Sequence, residues 1–185
     1  MSKLPEDTAI LEQLRSPQGS EAAFRSLVRA YGPLLHRHLM RMLQSSADAD
    51  DVLQNTLVKV FRKLDNFRGD SKLSTWLYRV ATNEALTWLR SKKRRHQRFS
   101  TEDPSSLVAN QLMADPYFDG DAAQLQLQQA LATLPPKQRA VFSFRYFDDL
   151  SYREICEITG TSEGSLKASY HLAAKKIEAK LKEYV

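Results

Sequence analysis

The stretch Leu150 to Ile177, LSYREICEITGTSEGSLKASYHLAAKKI, constrains the fold more than any other part of the chain. Ser151 and, three residues on, Glu154 form a capping-box pattern, in which hydroxyl and carboxylate satisfy backbone N–H groups at a helix start. Ile155 and Ile158 give that helix an apolar face, and Gly160 stands where a left-handed residue ends a helix. Thr161 or Ser162 can cap a second helix, whose Leu166, Tyr170, Ala173 and Ile177 recur at three-to-four spacing. The pattern predicts a helix-turn-helix, with a plain helical hairpin as the competing reading. In the motif the start of the second helix enters the major groove, which would present Ser165, Lys167, Ala168, Ser169 and His171.

The N-terminal half also reads as helices. Ser20 can cap a helix with Phe24, Leu27, Val28, Tyr31, Leu35 and Leu39 on one face, bent or interrupted at Gly32 and Pro33. A second begins near Asp48 and carries Val52, Leu53, Thr56, Leu57, Val60, Phe61 and Leu64 at nearly ideal three-to-four spacing. Asp48, Asp50 and Asp51 at its start complement the helix dipole. The loop DNFRGDSK follows, then a helix from about Ser71 to Arg94. A short helix at Thr8 to Leu14 completes a bundle with a three-helix core. Near the C-terminus, Leu131, Leu134, Val141, Phe144 and Phe147 supply a face for the helix-turn-helix, and Pro135 or Pro136 starts a helix.

Charge divides the chain. Residues 1–98 hold 18 Lys and Arg against 10 Asp and Glu, residues 99–123 hold none against 5, and residues 124–185 hold 9 against 7. The basic excess favours a polyanionic partner. The acidic stretch carries Pro104, Pro116 and Gly120 without sustained periodicity and reads as a linker between two domains, mobile or occupied by a partner. Its Leu107, Val108, Leu112, Met113, Tyr117 and Phe118 hint at docking. The expected fold is all-α: two small helical domains, 1–98 and 124–185, joined by a long acidic linker, 99–123.

No apolar run reaches the roughly eighteen residues of a membrane span, and MSKLPEDTAI lacks a signal-peptide core, so a cytoplasmic chain without membrane insertion is expected. The single cysteine, Cys156, excludes an internal disulfide and reads as buried packing. His36 and His38, two apart, fall on different helix faces, and no metal or cofactor is expected.

The third helix and its preceding loop interleave Phe67, Trp76, Tyr78 and Trp88 with Arg68, Lys72, Arg79 and Arg90. Aromatic faces stack unpaired bases while cations follow phosphates, a combination suited to single-stranded DNA. Core packing is the competing role for Trp76 and Trp88.

Three segments carry a family resemblance: DADDVLQNTLVKVFRKLDNFRGDSKLSTWLYRVATNEAL, LPPKQRAVF and LSYREICEITGTSEGSLK. In order and spacing they resemble the extracytoplasmic-function (ECF) group of bacterial RNA polymerase sigma factors of the sigma-70 family. The resemblance implies an initiation subunit without catalytic residues of its own, which binds core polymerase, recognises minus-thirty-five and minus-ten elements and opens DNA at the latter. Region 2 would dock through Asp51, Gln54 and Asn55 on the clamp helices of the polymerase largest subunit, Asn55 replacing the family's usual glutamate. Phe67, Arg68, Ser74, Thr75, Trp76, Tyr78, Arg79 and Asn83 would open the minus-ten element and capture a displaced base, aromatic contacts offsetting the unstacking cost.

Region 4 would dock on the flap of the second-largest subunit and read the minus-thirty-five element with Arg153, Ser165, Lys167, Ala168, Ser169, Tyr170 and His171. Ser169, Leu172 and Ala174 stand where arginines are frequent in the family, so base readout leans on the few polar groups left. The linker, with Glu102, Asp103, Asp115, Asp119 and Asp121, would stand in for RNA in the basic exit channel. An anti-sigma factor is the expected regulator. A dimeric repressor would need a dimerisation or ligand domain, and a serine-recombinase-type enzyme an α/β domain. Residues 1–98 carry a pattern for neither.

Overall fold

A computed structural model describes residues 5–14, 19–99 and 122–183. They form eight helices and, among the described residues, no strand. The order is α1 (Pro5–Leu14), α2 (Gly19–Leu43), α3 (Ser46–Leu64), α4 (Leu73–Phe99), α5 (Ala122–Ala132), α6 (Pro136–Tyr146), α7 (Tyr152–Thr159) and α8 (Glu163–Lys182). The acidic stretch 100–121, with the apolar residues expected to dock, lies outside the described residues.

In the N-terminal half α2 is the hub, touching α1, α3 and α4. Its Leu27, Tyr31, Leu35 and Leu39 are buried, with Val52, Val60 and Leu64 from α3 and Leu73, Leu77, Ala81 and Ala85 from α4. The helix continues through Gly32 and Pro33, so it is not interrupted there. Pro33 lies on the exposed face, where the Arg29 carbonyl it leaves unbonded can meet water, while Tyr31 and Leu35 anchor the buried face on either side. The helix ends at Gln44, whose left-handed backbone (φ +58°) lets its N–H donate to the Met40 carbonyl at 2.8 Å. Ser45 then caps α3, accepting from the Asp48 N–H at 3.3 Å.

The C-terminal half is built around α8, which packs on α5, α6 and α7. Both halves of the expected capping box form: the Glu154 N–H donates to Ser151 Oγ, and the Ser151 N–H to Glu154 Oε2 at 2.9 Å. Gly160 takes φ +67° and its N–H closes α7 on the Cys156 carbonyl at 2.8 Å. Cys156 is half-buried rather than fully enclosed. Phe142, absent from the expected face, joins Leu131, Leu134, Ala173 and Ile177 in the cluster beneath α8. Val141 and Phe144, one turn face away on α6, instead join the cluster of the N-terminal bundle, together with Leu150, Ile155 and Ile158.

The two halves therefore meet, α6 against α2 and α4, and α7 against α4. Phe144 stacks nearly flat on His38 of α2, centroids 4.6 Å apart, and meets Tyr78 of α4 edge-on at 5.6 Å.

Candidate nucleic-acid interface

The loop after α3 is closed by short backbone bonds, Asn66 and Phe67 donating to the Lys63 and Leu64 carbonyls at 3.1 and 3.0 Å. Gly69 follows in the left-handed region. This closure folds Phe67 onto Trp76, with centroids 5.2 Å apart and planes inclined by 42°. Both rings are half-buried, packed on the core on one side. Arg68, Arg79 and Asn83 are exposed around them, and Ser74 is half-exposed. Thr75 and Tyr78 differ from the rest of their set, being buried on the inward side of α4. Burial, then the neighbouring Asp148 charge, pushes the Tyr78 phenol above its ordinary range, so it stays protonated. Trp88 is half-buried with the Lys92 ammonium 4.6 Å from its ring centroid, and Lys92 also reaches Asp48 at 2.8 Å.

On α3, Asp51, Gln54 and Asn55 are all exposed. Val58 and Phe61 continue the same outer face, each 45% exposed. Phe61, at three-to-four spacing with Leu57 and Leu64, lies at the bundle edge against Phe24, centroids 5.0 Å apart. Val58 drops out of the buried stripe of Val52, Thr56, Val60 and Leu64, which is the signal that marks it in the sequence.

The second helix of the helix-turn-helix presents Ser165, Lys167, Ala168 and His171 to solvent, with Ser169 half-exposed. Lys167 pairs with Glu163 at 2.7 Å, a hydrogen bond that raises its pKa, and its ammonium sits 5.7 Å from the Tyr152 ring centroid. Arg153 is exposed, 3.9 Å from Glu157. Tyr170 is half-buried, its ring stacked on Phe142 at 5.5 Å. Leu172, where an arginine is frequent in the family, is half-exposed to solvent.

The sigma-70 region 2 family model matches residues 27–95, and the sigma-70 region 4 model residues 124–177. The chain is 31% identical over 175 residues to the ECF RNA polymerase sigma factor SigW of Bacillus subtilis (strain 168), covering 90% of this chain and 92% of that one. This chain belongs to the ECF group of the sigma-70 family. It is also 30% identical over 200 residues to the ECF RNA polymerase sigma-E factor of Escherichia coli (strain K12), spanning all of this chain and 99% of that protein. The fold is similar to that of the sigma factor RpoE from Bartonella quintana, solved with the anti-sigma factor NepR. That match has a TM-score of 0.69 and 23% identity, over 86% of this chain and 96% of RpoE. CnrH, solved with the cytosolic domain of CnrY, matches with a TM-score of 0.65 and 22% identity, over 96% of this chain and 97% of CnrH. As an ECF sigma factor, the chain binds core RNA polymerase and directs promoter-specific initiation through the minus-thirty-five and minus-ten elements.

Among the described residues no helix is long and apolar enough to cross a membrane, and no group of three or more His, Cys, Asp or Glu is placed to hold a metal ion.

Proposed function

We propose that residues 1–98 form the region 2 domain and residues 124–185 the region 4 domain of this sigma factor, with 99–123 as the connecting segment. Asp51, Gln54 and Asn55 dock the polymerase clamp, and Val58 and Phe61 extend that contact with apolar surface. Phe67 and Trp76 receive the displaced minus-ten base, flanked by Arg68, Ser74, Arg79 and Asn83. Thr75 and Tyr78 join them once uncovered. Arg153, Ser165, Lys167, Ala168, Ser169, Tyr170 and His171 read the minus-thirty-five element. The protein works in the cytoplasm as a polymerase subunit without catalytic residues of its own. Likeness to RpoE, solved with NepR, supports an anti-sigma protein as its regulator.

The observation that carries this reading is the Phe67–Trp76 pair, held half-open by the α3–α4 loop among exposed cations. Aromatic faces bind bases irrespective of sequence, at about 1–3 kcal/mol per stacked base. Runoff transcription with purified core polymerase, on genomic fragments including the gene's own upstream region, tests it. The expected result is a set of specific transcripts that Trp76→Ala and Asp51→Ala each remove. Stable duplex binding without any core-dependent transcript would return the helix-turn-helix to a regulator.

A further inference from the structure

The large apolar side chains left exposed among the described residues are Val58, Phe61, Tyr146 and Leu172. The first two share the outer face of α3, and Tyr146 stacks on Phe142. Leu172 is 50% exposed on α8 and joins neither hydrophobic cluster. A single exposed leucine carries no meaning by itself. Its position on this helix does.

Leu166, Ala173 and Ile177 fix the buried side of α8. At about 100° per residue, Ala168 and Leu172 lie about 40° apart on the half turned away from that side. Ser165, Ala168 and Leu172 thus run down one flank of the outward half, and Lys167 and His171 down the other, all of them exposed. The two carboxylates of the helix stay off the Ala168–Leu172 flank: Glu163 pairs with Lys167 at 2.7 Å and Glu178 with Lys182 at 2.8 Å. Beyond Leu172, Lys175 and Lys176 are exposed and supply positive charge for a phosphate backbone.

In the major groove every base edge offers hydrogen-bond donors or acceptors, and thymine alone adds an apolar group, its C5-methyl. Ala168 and Leu172 have no side-chain polar atom, so a methyl is what they can select. Against the cytosine amino group or the guanine oxygen the same leucine would strip water and give nothing back. Attraction and penalty therefore favour the same base.

We propose that Leu172, with Ala168 beside it, is a specificity-determining residue that selects a thymine in the minus-thirty-five element by packing on its C5-methyl group. The inference rests on the reading of α8 as the helix that enters the major groove. It assigns to an apolar side chain a share of the sequence readout otherwise left to Ser165, Lys167 and His171.

The test uses the full chain with core polymerase on a promoter mapped by runoff transcription. Each thymine of the minus-thirty-five element is replaced in turn by deoxyuridine, which keeps the pairing and the O4 acceptor and removes only the methyl. At one position the wild-type holoenzyme should lose about fourfold in promoter affinity, the worth of one methyl taken out of water. Leu172→Ala should be indifferent to deoxyuridine at that position and keep its response elsewhere, while Leu172→Met, still apolar and long enough to reach, should retain the wild-type response. Circular dichroism checks that each variant is folded. An element without thymine, or the same deoxyuridine profile in wild type and Leu172→Ala, overturns the inference. An unchanged profile together with a loss of core affinity, read by fluorescence anisotropy without DNA, would turn Leu172 toward the polymerase instead. If Lys167→Ala and His171→Ala also leave promoter affinity as it was, the reading of α8 as the groove helix fails, and the inference with it.

Discussion

Arg139 of α6 donates to the Met42 carbonyl of α2 at 2.8 Å, tying the last turn of one half's central helix to the other half. The same guanidinium donates to the Ala132 and Leu134 carbonyls at 2.8 and 3.2 Å. One side chain thus satisfies helix-end carbonyls from two helices that are far apart in sequence. Burial pulls its pKa down to about 10, so it remains charged at neutral pH.

Replacing Arg139 with Met keeps much of the volume and strands the three carbonyls. The expected loss is about 3 kcal/mol, the usual scale for breaking a buried charged hydrogen-bonded group. Urea denaturation followed by circular dichroism measures it, and a change below the error of extrapolation would mean that the carbonyls find other donors.

Gly160 holds the turn of the helix-turn-helix at φ +67°, and a Cβ placed there meets no atom within 4 Å. Gly160→Ala therefore carries backbone strain alone, about 1 kcal/mol. Its melting temperature should fall by a few degrees while core binding through α3 is unaffected.

Protonation of His38 sets one edge of the pH range. The side chain is buried beside Thr82 of α4 at 3.0 Å, the Tyr78 and Phe144 rings, Asp148 and Arg41. Burial lowers its pKa from 6.5, Asp148 partly offsets this, and Arg41 reinforces it. The unfolded chain then binds more protons than the folded one below about 6.5, so stability is full above that value and declines as pH falls. Glu154 acts lower down: burial raises its pKa, but hydrogen bonds from Lys72 and Ser151 outweigh this and take it to about 2 from 4.5. Its contribution is intact above about 4.5 and is lost as pH falls toward 2. Melting curves from pH 8 to 5.5 should show a decline that His38→Gln flattens; the same slope in both would assign it to other groups.

Val58 on the outer face of α3 tests the polymerase contact without disturbing the core. Val58→Glu, at a position nearly half exposed, should leave the melting temperature within about a degree because it removes little buried area. Affinity for core polymerase, measured by fluorescence anisotropy, should fall about tenfold as a charge meets an apolar contact. Equal affinity would move the docking surface off this face.

Much of the secondary structure is legible because its causes are local. The Ser151–Glu154 box and Gly160 each act within a few residues, and both form as read. The end of α2 is not legible: Gln44 has no special preference for the left-handed region and adopts it where its side chain bonds the Arg41 carbonyl at 2.7 Å and Gln128 at 3.0 Å. Asp149 likewise takes φ +48° in the turn that delivers Asp148 to α2. The division of α6 escapes periodicity too. Phe142 and Phe144 serve two different cores, and a stripe of three-to-four spacing describes only one. Of the site residues, exposure of Asp51, Arg68 and Lys167 follows from their chemistry. The burial of Thr75 and Tyr78 depends on α4's packing and on a partner half that no local pattern announces.

The stack of Tyr170 on Phe142, with Tyr146 on the other contact of Phe142 at 5.2 Å, reaches beyond stability. Tyr170 sits on the reading helix itself, so the ring layer behind it sets that helix's roll angle and its depth in the DNA groove. Promoter preference in this chain can therefore evolve from beneath, by resizing Phe142, with every base-facing side chain left as it is.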